Sequence, residues 1–528
     1  MAFASLTVLA GCPGPLRGGD TGTGNTGGPT AGTTGGSGTT GAAGANGGTS
    51  GGAGKGGAGA AVSGSSGSSG PGAGGSATGA AGVGAGGGGT GNTSGSAGSG
   101  VAGTGTGTAG ATGGSAGGAK GGSGGTTPPR GPTPAMNGIN FPFPQNRESS
   151  PRCVYPANYL NADVTAAYAQ WKTDLVTTNG AGGARRVQRT STDGVSMYTP
   201  AGSTVSEGIG YGMLIAVFMG GKDDQMLFDD LWNYSQKHKD ANGLMNWAIT
   251  ADGSMTPGEG GATDADEDIA FALLMADKQW GSAGTLNYLS LAKAQISAIW
   301  LHEVVDSKLA GPGDSWGTTN LWNNINISYF APAYYRLFKT VDDPSHAWDA
   351  VITTVYDTIL SPNNTLDKGA LKPANKNTSN GLVPAWCTSS GDMSMTTPFN
   401  YQYDSCRTPF RIALDWCWFG EPRAQMYLAK TSAFFSGIGA ANIVDGYNLD
   451  GTPKPEHTTG QSAAFVGPAG VGAMSSATYQ SFVTDAYGRV ATRQLMVGGA
   501  YYEESWTMLS LLMMTGNFLD YTSIQPAH

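Results

Sequence analysis

Histidine and cysteine are scarce, five of each in 528 residues. His238, His302, His346, His457 and His528 form no HExxH and no close pair, and none of the cysteines is spaced as CxxC, which excludes a zinc finger or zinc hydrolase. No metal and no cofactor is therefore expected. Charged residues make up only 12% of the chain, with a formal net charge of -9 and no basic stripe, which argues against nucleic acid as a partner. Val- and Ile-rich runs between helical segments are missing, and with them the parallel sheet they would build. GIGYG at 208–212 is not GxGxxG and follows no clear strand, so it supports no dinucleotide site. The spacing of Asp264, Asp266 and Asp268 looks like an EF-hand loop, but Ile269 and Met275 stand where that loop needs Gly and Glu.

Large apolar side chains are almost absent from the first quarter of the chain. Residues 13–135 are mostly Gly, Ser, Thr and Ala, which bury too little surface to offset the entropy of ordering, and the stretch reads as a disordered linker. Ahead of it, residues 1–12, MAFASLTVLAGC, are a short apolar run ending in Leu9-Ala10-Gly11-Cys12. This resembles a bacterial lipoprotein signal, implying lipidation at Cys12, export, and attachment to a membrane by that anchor at the cell surface or in the periplasm; release as an extracellular protein is the alternative. No later segment is apolar for long enough to span a membrane. Residues 136–528 carry all 12 Trp and are long enough for one large domain with a substantial core, taken as a monomer.

Within that domain, apolar residues recur at helical spacing over 161–176, 204–220, 223–238, 262–280, 286–302, 326–340, 345–360, 403–419, 421–435, 475–487 and 501–514. Apolar helices opening with polar residues alternate with amphipathic ones. The fold class this predicts is all-α, a toroid whose inner helices are buried on every side and whose outer helices shield them. ATDADEDIAFALLMADKQW at 262–280 is its most informative stretch. Thr263 is placed to cap the helix, and the acids of its first turn suit the helix dipole. Three alternating carboxylates are more than a cap needs, however, and point to a helix end facing a polar cavity. Asp266 and Asp268 are expected to be structural, as caps and backbone hydrogen-bond acceptors.

Glu207, Asp264 and Asp404 each open an apolar helix. Converging at one rim, they would surround one cleft, and two carboxyl groups flanking a bond is the arrangement for glycoside hydrolysis. Sugar faces stack on aromatic rings, and the candidates to line such a groove are Trp247, Tyr329, Trp316, Trp322, Tyr501 and Tyr502. The blander readings are a helix-start carboxylate for Glu207, a structural pair of Asp404 with Arg407, and core packing for any one aromatic.

Three segments together, ATDADEDIAFALLMADKQW, SEGIGYGM at 206–213 and YDSCRTPFR at 403–411, resemble glycoside hydrolase family 8, in the same order and across essentially all of 136–528. The resemblance implies an (α/α)6 barrel and an inverting, endo-acting glycosidase on a β-1,4-linked polysaccharide. Glu207 would be the general acid and Asp404 the general base. Asp264 would bind and help distort the sugar beside the scissile bond, and Arg407 would hold Asp404 ionised and oriented. The motif forms look most like the family's cellulases, with xylanase, chitosanase and mixed-linkage glucanase as alternatives. From other classes, a polysaccharide lyase would need a cation opposite a uronate, and a non-catalytic glycan-binding surface protein has no use for a separated acid and base. Of Cys153, Cys387, Cys406 and Cys417, a bridge between Cys387 and Cys406 is the first expectation, because it would close a loop beside YDSCR.

Overall fold

A computed structural model of the chain describes residues 131–147, 151–193, 196–315, 325–360, 379–389, 400–454, 461–492 and 498–528. Residues 1–130, which hold Cys12 and nearly all of the expected linker, and Trp316 and Trp322 lie outside these residues. Among them are twelve α-helices: α1 Asn161–Leu175, α2 Ser206–Met219, α3 Lys222–Lys237, α4 Thr263–Trp280, α5 Tyr288–His302, α6 Pro332–Val341, α7 Trp348–Leu360, α8 Thr408–Phe419, α9 Pro422–Ile438, α10 Ala463–Ala473, α11 Gln480–Ala491 and α12 Tyr501–Met514. The few strands are two-residue antiparallel pairs in the connections.

The even-numbered helices form a closed inner ring. Each packs on the next, α2 on α4, α4 on α6, α6 on α8, α8 on α10 and α10 on α12, and α12 returns to α2. The odd-numbered helices form the outer layer, each against an inner one. Sequence explains the division. In α2, α10 and α12 apolar residues surround the helix and nearly every position is buried, whereas α3 buries Leu227, Phe228, Leu231, Trp232 and Tyr234 on one face and turns its acids and lysines outward. The small residues of SEGIGYGM let α2 approach α4 closely: a Cβ on Gly210 would stand 3.0 Å from Asp268 Cβ and 3.2 Å from Ala265 O. This fold is the predicted (α/α)6 barrel.

Several local expectations change. Helix α10 has no counterpart in the apolar periodicity, because Gly467, Pro468, Gly470 and Gly472 are weak helix formers. The N-cap of α4 is Ala262, and Thr263 lies inside the helix without capping it. Helix α8 starts at Thr408, leaving Asp404 in the preceding turn. The disulfide joins Cys153 to Cys417, tying the segment before α1 to the last turn of α8, while Cys387 and Cys406 stay buried as thiols. Loop proximity misled here: Cys406 Sγ points toward Tyr403 O and the Tyr502 hydroxyl.

Candidate active site

Because every inner helix is followed by an outer one that returns the chain, the six inner helices run parallel and open at one rim. Glu207 is the second residue of α2 and Asp264 the second of α4. Arg407 is the N-cap of α8, Tyr501 begins α12, Ser328 precedes α6 and Ser462 caps α10. Glu207 is the one residue of α2 that is not buried, so an otherwise sealed helix opens at its carboxylate.

Arg407 gathers these starts. Its Nη1 donates to Glu207 Oε1 and to Asp264 Oδ2 at 2.5 Å, its Nη2 lies 3.8 Å from Asp404 Oδ1, and its Nε donates to Ser328 Oγ at 3.0 Å. The guanidinium also lies 5.0 Å from the centroid of the Tyr329 ring. Two contacts and one guanidinium's width bound the Glu207–Asp404 separation at roughly 8 Å, within reach of a shared sugar. The Arg407 side chain is 1% exposed, against 15% for Glu207 and 17% for Asp404, so the cation is sealed beneath two carboxylates that reach solvent.

Two further donors hold Glu207. The Tyr211 hydroxyl donates to Oε1 at 2.8 Å and the Tyr501 hydroxyl to Oε2 at 2.5 Å. Asp404 accepts the Trp386 indole N–H at 3.3 Å. Burial pushes the Asp404 carboxyl up to about 6, with Arg407 pulling the other way and Glu207 adding to the rise. Burial also raises Asp264, against Arg407. For Arg407, burial opposes the charge, but Tyr502, Tyr211, Asp264 and Glu207 more than offset it and hold the guanidinium charged.

The acids of ATDADED point in different directions, as a 100° step per residue requires. Asp264 faces Arg407, Asp266 accepts from Gln295 of α5 at 3.0 Å, and Glu267 accepts from Tyr335 of α6 at 2.6 Å. Asp268 takes a two-pronged pair from Arg411 of α8 at 3.1 and 3.0 Å. Asp266 and Asp268 thus bond to side chains of neighbouring helices instead of the nearby backbone.

Of the predicted aromatics, Trp247 is buried beside the acid: its carbonyl accepts the Ser206 N–H at 3.0 Å and its ring meets Tyr198 at 6.1 Å. Tyr329 lies between Arg407 and Trp386, whose ring is 5.9 Å away. Tyr502 is buried and braces the turn bearing Asp404 by donating to Tyr403 O at 2.8 Å. Trp316 falls outside the described residues. Sequence reading missed Trp386, Tyr211 and Ser328. Tyr211 was legible as the residue one helical turn after Glu207, whereas Trp386 lies 18 residues before Asp404 with no periodicity connecting them.

The model for glycosyl hydrolases family 8 matches residues 149–516. Endoglucanase A of Acetivibrio thermocellus is 38% identical over 364 residues, covering 68% of this chain and 70% of that protein. Among solved structures, a β-1,3-1,4-glucanase from Paenibacillus sp. X4 superposes with a TM-score of 0.61 at 31% identity, over 72% of this chain and 99% of that one. The xylose complex of Rex8A from Paenibacillus barcinonensis shares the fold, with a TM-score of 0.53 at 22% identity over 69% and 95% of the two chains. With its barrel, its carboxylate rim and these relatives in agreement, the chain belongs to glycosyl hydrolases family 8 and is a glycosidase.

Proposed function

We propose that the protein is an inverting endoglucanase acting on β-1,4-linked glucan, with Glu207 as general acid and Asp404 as general base. The observation that carries this reading is the meeting of three carboxylates from residues 207, 264 and 404 around one buried guanidinium, two of them reaching solvent. Glu207 passes its proton to the glycosidic oxygen as the bond to the anomeric carbon breaks. Asp404 takes a proton from the water that attacks that carbon from the opposite face, leaving a hemiacetal of inverted configuration. Asp264, nearly sealed against Arg407, is suited to bind the sugar at the point of cleavage. Trp247, bonded through its carbonyl to the Ser206 amide, and Tyr329, against Arg407, are proposed to stack on the sugar, and Arg407 orients all three carboxylates.

Relatives named as endoglucanases at 36–38% identity favour cellulose-type chains, and the 31% identical β-1,3-1,4-glucanase favours mixed-linkage glucan as the second reading. The test is release of reducing ends from carboxymethylcellulose, lichenan, xylan and chitosan, with the product anomer followed by NMR. Carboxymethylcellulose is expected to be cut fastest, and Glu207→Gln and Asp404→Asn each to lower turnover at least about a hundredfold. Products absorbing in the ultraviolet would indicate a lyase instead, and full activity in either variant would remove the acid–base assignment. Export is supported by the Cys153–Cys417 disulfide, since such bonds persist in oxidising compartments. Among the described residues no helix is long and apolar enough to cross a membrane, so attachment would rest on lipid at Cys12, testable by labelling with a fatty acid and by Cys12→Ala. The catalytic domain is taken to act as a monomer, and sedimentation would test this.

A further inference from the structure

We propose that Asp193 is a positioning residue for hydrolysis: from a turn outside the helical ring it fixes the start of α12, so that the Tyr501 hydroxyl stays on Glu207. The inference rests on the assignment of Glu207 as the acid.

The first amides of a helix need acceptors, and the start of α12 is buried away from water. Its own N-cap, Ala500, has no side chain that can serve. What holds this start in place comes from elsewhere in the chain. Asp193 ends the short 3-10 turn Ser191–Asp193 and is 1% exposed. Its Oδ2 accepts the Thr190 N–H at 2.7 Å, which fixes the turn against the start of α12, while its Oδ1 has no hydrogen-bond partner among the described residues. The turn grips the start of α12 twice. Thr190 Oγ1 donates to Gly499 O at 2.5 Å, and the Arg189 guanidinium lies 5.4 Å from the Tyr501 ring centroid while its Nη2 donates to Asp193 O at 2.8 Å.

Beyond that ring the Tyr501 hydroxyl holds Glu207 Oε2. The other oxygen, Oε1, is held by Tyr211 from its own helix and by Arg407. Among the described contacts, then, the orientation of Oε2 depends on where α12 begins, and that depends on residues 189–193. A shift of about 1 Å in a group that sets reacting geometry costs about a hundredfold in rate.

The experiment compares Asp193→Ala and Asp193→Asn in the full chain on two substrates: cellopentaose, whose leaving sugar needs a proton, and 2,4-dinitrophenyl β-cellobioside, whose leaving group departs without one. Asp193→Ala is expected to lower kcat on cellopentaose at least about tenfold with KM within about twofold, and to cost less than about threefold on the aryl glycoside. Asp193→Asn, which keeps a carbonyl for the Thr190 amide, is expected to restore most of the loss. Tyr501→Phe, which leaves the turn intact, is expected to give the same substrate pattern and decides the matter if Asp193→Ala does not fold. Equal losses on both substrates, or no loss in Tyr501→Phe, would overturn the inference. Glu207→Gln inactive on cellopentaose beside an unimpaired Asp193→Ala overturns it alone, whereas an active Glu207→Gln overturns the acid assignment beneath it.

Discussion

Arg407 contacts Glu207 and Asp264 through one nitrogen and Asp404 through another, a division of labour that needs a planar fork. A lysine ammonium is a point charge and serves one partner at a time. Arg407→Lys is therefore expected to lower turnover at least about a hundredfold, and Arg407→Met, which strands buried carboxylates, to destabilise by about 3–5 kcal/mol, read by steady-state kinetics and thermal melting. Asp404 supplies a pH prediction. The proposed base works ionised, and burial lifts this carboxyl to about 6, so kcat/KM is expected to fall as pH drops through about 6. Trp386→Phe removes a hydrogen bond that favours the ionised form, so this acid limb should move to higher pH. Glu207, Asp264 and Asp404 were legible because each opens an apolar helix or the turn before one, where a carboxylate is out of place unless a cavity receives it. Trp386 and Asp193 were not, because they reach the site through irregular segments where no period relates sequence distance to space.

At the scale of elements, α10 gives the clearest case of structure overriding local preference. Its glycines and Pro468 argue against a helix in isolation, yet the helix is buried throughout, because small residues let three neighbours close in. A Cβ at Gly467 would stand 2.2 Å from Ser510 Oγ of α12, one at Gly470 2.7 Å from Ala486 Cβ of α11, and one at Gly472 2.9 Å from Pro409 Cβ of α8. Gly470→Val is expected to cost about 1–3 kcal/mol through overpacking, seen as a lower melting temperature. The alternation of apolar and amphipathic segments was readable for the other helices because it follows directly from which faces meet water. The packing of α10 depends on shape, which apolar periodicity does not encode.

For the whole molecule, buried acids set the pH range of the fold. Burial raises Asp266, Glu267 and Glu303 well above the ordinary carboxyl range and, with Asp314 beside it, Asp240 to about 7. These groups prefer to stay protonated when folded, so stability should decline as pH rises from about 4 toward and past neutrality. Glu421 works in the opposite sense: hydrogen bonds from Arg423, assisted by Arg336, hold it at about 2, so its contribution is present above about 4 and is lost as pH falls through 2. The melting temperature is therefore expected to peak on the acid side of neutrality, and Glu303→Gln, which cannot ionise, to flatten the alkaline decline. The Cys153–Cys417 bond spans 264 residues, and its reduction should cost about 5–6 kcal/mol on chain-entropy grounds, measurable as a drop in melting temperature with dithiothreitol.

The ring closes where α12 meets α2, so the last of the described helices completes the surroundings of a glutamate made some three hundred residues earlier. A nascent polypeptide that has not reached Tyr501 has no enclosed rim. Hydrolysis is thereby expected to be withheld until α12 has been made, and a nonsense codon before α12 to yield an inert fragment instead of a weakened enzyme.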